Sequence, residues 1–412
     1  MKITTLLSSL AVLIPFILLT GCTQNNNRSE VPFSEIKVEE LEAPVGVHSS
    51  LPYLITGGDE HLYLSWVESY DTLSILKYSR LDSTGWSTPE TIASGSNWFV
   101  NWADYPMIAV DRAGNMIAHY LVKSTAATYS YDVTLRIKPK DSTTWSAPIV
   151  PHKDQTPTEH GFVSLLPYHN DTFLLAWLDG RNTGGGHENH AGSMTLRSAL
   201  INLNGTLSMP TELDPRVCDC CQTTATMTPD GPIVAYRDRS VDEMRDMAYV
   251  SFQNNGWTKP ALVASDSWKI DGCPVNGPRM GSYEGTTAIA WFSAANNRPV
   301  VKVAFKDGES FQTPFVIDDV NPIGRVDLEL LDKENALVSW VAAGEDSALM
   351  LRRVNKSGNT SKLQKVTSMS PERASGFPQM ERQGSVIYFA ITEIINDNQV
   401  VKIKKIDLTS LF

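Results

Sequence analysis

The sequence predicts an all-β chain folded as a β-propeller of seven four-stranded blades, and three recurring marks carry that expectation. A short apolar strand ending in an aromatic residue recurs as "LYLSW" (Trp66), "MIAHY" (Tyr120), "FLLAW" (Trp177), "PIVAY" (Tyr236), "TAIAW" (Trp291), "ALVSW" (Trp340) and "VIYFA" (Phe389), at intervals of 49 to 59 residues. A bulky residue ahead of a proline follows most copies, in "GWSTP", "TWSAP", "TLSMP", "GWTKP" and "SFQTP". The third mark, "SLPYL", "DYPMI", "NGPRM" or "SGFPQM", precedes several of them. Between the marks, alternating residues and Gly/Asn/Asp turns give four short strands per unit. No continuous helical stripe follows residue 30. Four strands per unit of ~50 residues, repeated radially, is the propeller pattern. Each sheet buries its faces against its neighbours, so no single large core is needed.

Taken in order, the chain opens with "MKITTLLSSLAVLIPFILLTGC", in which an apolar run from Leu6 to Leu19 follows Lys2 and ends in Leu19-Thr20-Gly21-Cys22. The run, broken by Pro15, is too short for a stable membrane span. Residues 1–22 resemble a bacterial lipoprotein signal with its lipobox. The resemblance implies acylation of Cys22, a lipid anchor in the cell envelope and, with Thr23 next, the outer membrane. "TQNNNRSEVP", within residues 23–34, is then a solvated tether. Residues 35–412 form the propeller. The last copy ends in "VVKIKKIDL" with no fourth strand after it, and "EIKVEELEAP" (residues 35–44) belongs to no blade of its own. That orphan strand is expected to close the ring; six blades is the alternative, should a terminal copy be degenerate.

The formal charge is −11 and no basic, aromatic cluster is present, which excludes a nucleic-acid partner. In a propeller the loops from strand 4 to the next strand 1 share a face with those from strand 2 to strand 3. The opposite face is all tight turns, such as "DRAGN", "TPDG" and "QNNG". The first face holds the long loops "SNWFVNWADYP", "DQTPTEHG", "LDGRNTGGGHENHAG", "DPRVCDCC", "YRDRSVDEMRD", "KIDGCPVNGPR", "NPIGRVD" and "PERASGFP". Arg181, Arg216, Arg237, Arg239, Arg245, Arg279, Arg325 and Arg373 all fall there, with Trp98 and Trp102. Polar residues gathered on one face of a rigid scaffold present a site.

"SRLDSTGW" and "SFQNNGW" resemble eroded forms of the Asp-box turn, S-x-D-x-G-x-x-W, of sialidase-like (BNR-type) propellers. The set "DPRVCDCCQT", "YRDRS", "GCPVNGP", "GRVD" and "RASGFP" is similar to that of a bacterial lipoprotein subgroup of these propellers. The resemblance implies an acidic glycan or other anionic ligand, and hydrolysis of it if the protein is an enzyme. Where true sialidases carry an Arg-Ile-Pro motif, this chain has Ser50-Leu51-Pro52. Tyr283 and Glu284, adjacent in sequence, fall in an opposite-face turn.

The residues suit such a ligand in several ways. Arg279, Arg325 and Arg373, at the starts of successive inner strands, could clamp a carboxylate, with Arg237 nearby. Trp98 and Trp102 could stack on a sugar. Asp104, Asp238, Glu243, Asp246 and Asp327 supply carboxylates, of which a glycosidase needs two; Asp238, Glu243 and Asp327 are the catalytic candidates. The alternative is that Arg237-Asp238-Arg239 and Arg245-Asp246 form a network holding loops. Cys218, Cys220 and Cys221 open blade 4 and Cys273 opens blade 5, on adjacent loops. Four thiols outside the cytoplasm allow two disulfides, a copper or zinc site or a redox pair. His187 and His190, after Gly184–Gly186, and His160 are the nitrogen ligands within reach. A non-enzymatic metal-binding propeller, or a structural one mediating protein contacts, are the other functions open to this scaffold.

Overall fold

The computed structural model describes residues 36–169, 171–184 and 192–411. Cys22 with its lipobox, His187 and His190 lie outside the described residues. Seven antiparallel sheets follow one another along the chain. Their innermost strands are Ser49–Thr56, Ile108–Val110, His160–Pro167, Thr224–Thr228, Arg279–Tyr283, Pro322–Leu330 and Gln379–Gln383. Each packs against the next and the last against the first, so together they ring one axis. The blades number seven, not six.

Blade 7 closes as expected. Glu39–Leu41 pairs antiparallel with Asn398–Asp407, Glu39 lying opposite Lys405 and Leu41 opposite Ile403. The register is reinforced by Glu40, which pairs with Lys402 at 3.2 Å and Lys404 at 2.8 Å. Blade 2 departs from four regular strands: Ile108–Val110, Met116–Lys123 and Tyr131–Lys138 are followed only by an isolated bridge between Leu135 and Ile149. Pro148 and Pro151 flank Ile149, and neither has an N–H to extend the ladder.

The aromatic that marks each second strand has a structural reason. Trp66, Trp177, Trp291 and Trp340 are buried between blades, and each indole Nε1–H must find an acceptor there. It donates to Glu68 at 3.0 Å, Asp179 at 2.8 Å, Asp266 at 2.7 Å and Asp318 at 2.6 Å respectively. Tyr236 does the same toward Asp214 at 2.6 Å. A cation on the third strand, directly across the ladder from the tryptophan, faces the carboxylate in three blades: Lys77 reaches Glu68 at 2.8 Å, Lys302 reaches Asp266 at 2.5 Å and Arg197 stands 3.8 Å from Asp179. The repeated strand is thus one half of a buried indole–carboxylate–cation unit.

Three innermost strands carry the same bulge. The register shifts between Ser50 and Tyr53, Gly161 and Ser164, and Gly324 and Asp327, with Leu51, Phe162 and Arg325 at φ of 52°, 51° and 54°. A bulge twists the strand and re-aims its side chains. At Gly161 a Cβ would sit 2.0 Å from Asp104 Oδ2, so glycine is the residue that fits.

Candidate functional site

The thiols converge where blades 3, 4 and 5 meet. Val217 ends the outer strand Leu207–Val217 of blade 3, and residues 218–221 turn toward the axis before Thr224 begins blade 4. Because these four residues are a turn and not a strand, neighbouring Cys220 and Cys221 need not point to opposite sides. Cys218 Sγ lies 3.5 Å from Cys221 Sγ and 4.0 Å from Cys220 Sγ, and all three sulfurs are within 4.8 Å of one another. Cys273, exposed on the next loop, hydrogen-bonds Cys220. Asn276, from that same loop, donates its amide to Cys221 Sγ at 3.4 Å.

The charge around them is positive. Arg245 donates from Nη1 to Cys218 Sγ at 3.1 Å. Burial pushes the Cys218 thiol up, but hydrogen bonds with Cys220 and Cys221 and the charges of Arg245 and Arg237 outweigh it. Its pKa falls well below that of an ordinary thiol. Burial and the Cys218 charge push Cys220 and Cys221 the other way. The surroundings thus favour the charged form of Cys218 over that of Cys220 or Cys221.

The blade 4 residues expected to be catalytic form the frame of this cluster. Arg239 bridges Asp219, at 3.0 Å, and Glu243, at 2.9 Å, while Arg245 reaches Glu243 at 2.7 Å. Burial opposes the charge of Glu243, but the two arginines hold its pKa low. Asp238 accepts the Arg239 amide at 2.7 Å, and burial pushes it up to about 6. Asp246 accepts the amides of Ser267 and Trp268, each at 3.0 Å. Arg237 is 1% exposed and spends its guanidinium on backbone: Asn276 O at 2.7 Å, Phe292 O at 2.8 Å and Arg245 O at 2.7 Å. The indole of Trp268 lies 4.7 Å from its guanidinium. The arginines thus hold these loops through Asp219, Glu243 and backbone carbonyls, while Asp238 and Asp246 accept backbone amides.

Nearer the axis, Arg279 and Arg325 stand on adjacent innermost strands, as expected. Arg373 does not share their position: it lies on a short 3-10 turn, Arg373–Ser375, ahead of the blade 7 strand, and is exposed. Arg325 donates to the carbonyls of Gly376 at 2.9 Å, Pro371 at 2.8 Å and Glu372 at 3.0 Å. Burial pushes its pKa down to about 10. Trp102 stacks on Phe377 at 5.6 Å, with the guanidinium groups of Arg325 and Arg373 5.1 and 5.8 Å from its ring. Gln222 ties Ala103 O, at 2.7 Å, to the Gly277 amide, at 2.9 Å, joining loops far apart in sequence. The long loops are thus knitted together over the inner strands.

Beneath them a polar cavity of about 110 Å³ is lined by Arg279, Asp327, Glu329, Gln379, Glu381 and Tyr53. Arg279 hydrogen-bonds Tyr105 and Gln379 Oε1, the latter at 3.0 Å, and stands 3.7 Å from Asp327. Asp327 accepts the amides of Leu328 and Met380 at 2.9 and 2.8 Å. Burial raises Asp327; burial and repulsion from Glu381 and Asp327 raise Glu329; and burial, with repulsion from Asp327, raises Glu381 to about 7. Asp104 is buried under Phe162, whose amide it accepts at 2.8 Å, and burial pushes it up to about 8. Trp98 packs on Tyr120 at 4.5 Å and bridges to Val122, within blade 2. His160 is held by Asp154 at 3.1 Å rather than turned toward the thiols. The sequence did not single out Glu329, Glu381 or Tyr105: all three lie on or beside innermost strands, where a period-two pattern alone does not separate channel-facing from blade-facing positions.

No family profile matches the chain, and no curated protein matches it. Solved structures do. The BP39L lectin from Burkholderia pseudomallei overlays with a TM-score of 0.58 at 13% identity, covering 92% of this chain and 98% of the lectin. The polysaccharide lyase Uly1 gives 0.51 at 10% identity over 85% and 90% of the two chains. The NanB sialidase from Streptococcus pneumoniae, as its K499G mutant, gives 0.47 at 12% identity, with 90% of this chain and 71% of that one covered. At such identities the likeness shows the fold alone, a β-propeller.

Proposed function

We propose that the protein is a binding propeller whose upper face holds a soft metal ion, copper(I) or zinc(II), on Cys218, Cys220 and Cys221, with Cys273 as the fourth sulfur. One observation carries this: the spacing of the sulfurs. Sulfurs ~2.3 Å from one tetrahedral ion lie about 3.8 Å apart; Cys218 Sγ stands 3.5 Å from Cys221 Sγ and 4.0 Å from Cys220 Sγ, and these three sulfurs lie within 4.8 Å of one another, with Cys273 on the adjoining loop. A disulfide would bring two of them to ~2.05 Å. Thiolates select soft ions, and Arg245 offsets part of the negative charge that such a site accumulates. The scaffold residues Arg237, Arg239, Glu243 and Asp246 hold the two thiol loops and the intervening hairpin at fixed distance, as a preformed site requires. With the lipoprotein-like signal ending at Cys22, the site would face the space outside the cytoplasm from a lipid anchor.

The test is metal analysis and thiol counting on protein purified without oxygen. About one equivalent of copper or zinc, lost in Cys218→Ser and Cys221→Ser, supports the site. Two disulfides and no metal would replace it with stapling.

A second reading rests on a different observation. Arg279, Tyr105, Gln379 and the carboxyl groups of Asp327 and Glu381 meet beside one polar cavity on the axis. Propellers of this fold include a lectin and a polysaccharide lyase. An acidic glycan whose anionic group reached Arg279 would use that chemistry, and hydrolysis would need two of the carboxyl groups. A glycan array and a panel of glycosides, run on wild type and Arg279→Ala, test it. Arg279→Ala should weaken an anionic ligand about ten- to a hundred-fold.

A further inference from the structure

We propose that Cys273 is the exchangeable ligand of the thiol site, the point at which an incoming thiol takes copper(I) from the other three sulfurs or delivers it to them. The inference rests on the metal reading above and adds a direction to it: the protein passes the ion on rather than keeping it.

The four sulfurs are not equivalent. Cys218, Cys220 and Cys221 stand on one turn, and the first and last of them are 1% exposed. Cys218 is held from two sides: its amide donates to Arg237 O at 3.0 Å, and its sulfur accepts from Arg245 at 3.1 Å. Cys221 Sγ accepts the Asn276 amide at 3.4 Å. Donors of this kind, set behind a ligand atom, fix its position. Cys273 comes from the neighbouring loop and is exposed. Its segment, residues 271–275, belongs to no strand, and Asp271 and Gly272 beside it are exposed as well. A Cβ added at Gly272 would meet nothing within 4 Å, so this arch stands clear of its surroundings. Its two ends are fixed: the Ile270 amide donates to Glu243 O at 3.2 Å, and the Asn276 side chain donates to Ile323 O at 3.1 Å. Cys273 can therefore leave the cluster while Asn276 keeps its bond to Cys221.

The three inner sulfurs suffice for copper(I) when it does. Sulfurs ~2.3 Å from an ion in their own plane lie about 4.0 Å apart. Cys218 Sγ is 3.5 Å from Cys221 Sγ and 4.0 Å from Cys220 Sγ, and all three lie within 4.8 Å of one another. Copper(I), a soft ion, is satisfied by three sulfurs, whereas structural zinc takes four ligands. Exchange then needs no bare ion. The entering thiol forms an S–Cu bond, the Cys273 S–Cu bond breaks, and the proton of the thiol passes to Cys273. Copper stays at +1 and no electron is transferred. With Cys218 and Cys221 buried, the exposed sulfur marks the side from which the donor arrives.

The experiment uses the full chain loaded with copper(I) without oxygen, glutathione as the entering thiol, and a coloured copper(I) chelator in fixed excess to report release. Wild type should release copper at a rate that rises in proportion to glutathione. Cys273→Ser, at an exposed position, should keep about one equivalent of copper where Cys221→Ser keeps none. Without glutathione it should release that copper about ten-fold faster than wild type, since one bond fewer holds the ion. If Cys273→Ser does not fold, the glutathione dependence of wild type decides alone. Wild type that binds no copper overturns the thiol site itself. Wild type whose release ignores glutathione, or a folded Cys273→Ser that loses copper as completely as Cys221→Ser, leaves the thiol site standing and overturns exchange at Cys273.

Discussion

At the residue scale, the arginines divide by what their guanidinium groups touch, and position in the sequence does not reveal this. Arg237 and Arg325 sit in motifs, "YRDR" and "GRVD", that read as ligand-facing, yet both are committed to backbone carbonyls of neighbouring loops. Arg237→Met should therefore leave several buried carbonyls without donors and lower stability by about 3 kcal/mol or more. Denaturant unfolding checks this; a variant as stable as wild type would free Arg237 for another role. Asp104 gives a pH-dependent prediction. Its folded pKa, about 8, lies above the usual carboxylate value, chiefly through burial. The folded state therefore holds a proton that the unfolded state releases, and stability falls as pH rises from about 4 to about 8. Asp104→Asn keeps an oxygen for the Phe162 amide and removes that slope. Its melting temperature should exceed wild type at pH 8 by a few degrees and approach it at pH 5. An equal gap at both pH values would contradict a protonated Asp104.

At the element scale, the closing strand was legible because the last repeat lacked a partner and residues 35–44 lacked a blade. Its register was not legible; it follows from Glu39 and Glu40 meeting Lys402, Lys404 and Lys405. Deleting residues 36–44 exposes the edge of Asn398–Asp407 and should lower the melting temperature of the whole ring, measured by calorimetry. An unchanged transition would mean that the blade holds without it. The missing regular fourth strand of blade 2 was hidden in "TWSAPIVP", where the repeat mark is intact but the prolines interrupt pairing. The second-strand aromatic was visible as a period, whereas its cause, a carboxylate acceptor, was not. In blades 1 and 3 that acceptor lies two residues on in the same strand, whereas in blades 5 and 6 it comes from the preceding blade, at the end of its outer strand (Asp318) or just beyond it (Asp266).

At the scale of the whole molecule, repetition made the fold readable, since seven imperfect copies constrain one another. The site had no such redundancy. That Cys218, Cys220, Cys221 and Cys273 belong together follows from adjacent blades, and the sequence shows it. Whether they bond to one another or to an ion depends on sulfur separations that only the folded loops define. His160 was placed with the thiols because it shares their face, but Asp154 and the stacked His152 ring draw it into another cluster. The proposed function turns on the thiol cluster, and metal stoichiometry of anaerobically purified protein, measured beside its count of reactive thiols, tests it most directly. Wild type should carry about one equivalent of copper or zinc that Cys218→Ser removes, with its thiols shielded until a chelator is added. Protein in which Cys218→Ser leaves the metal content unchanged, or whose four cysteines are found in two disulfides, would contradict it.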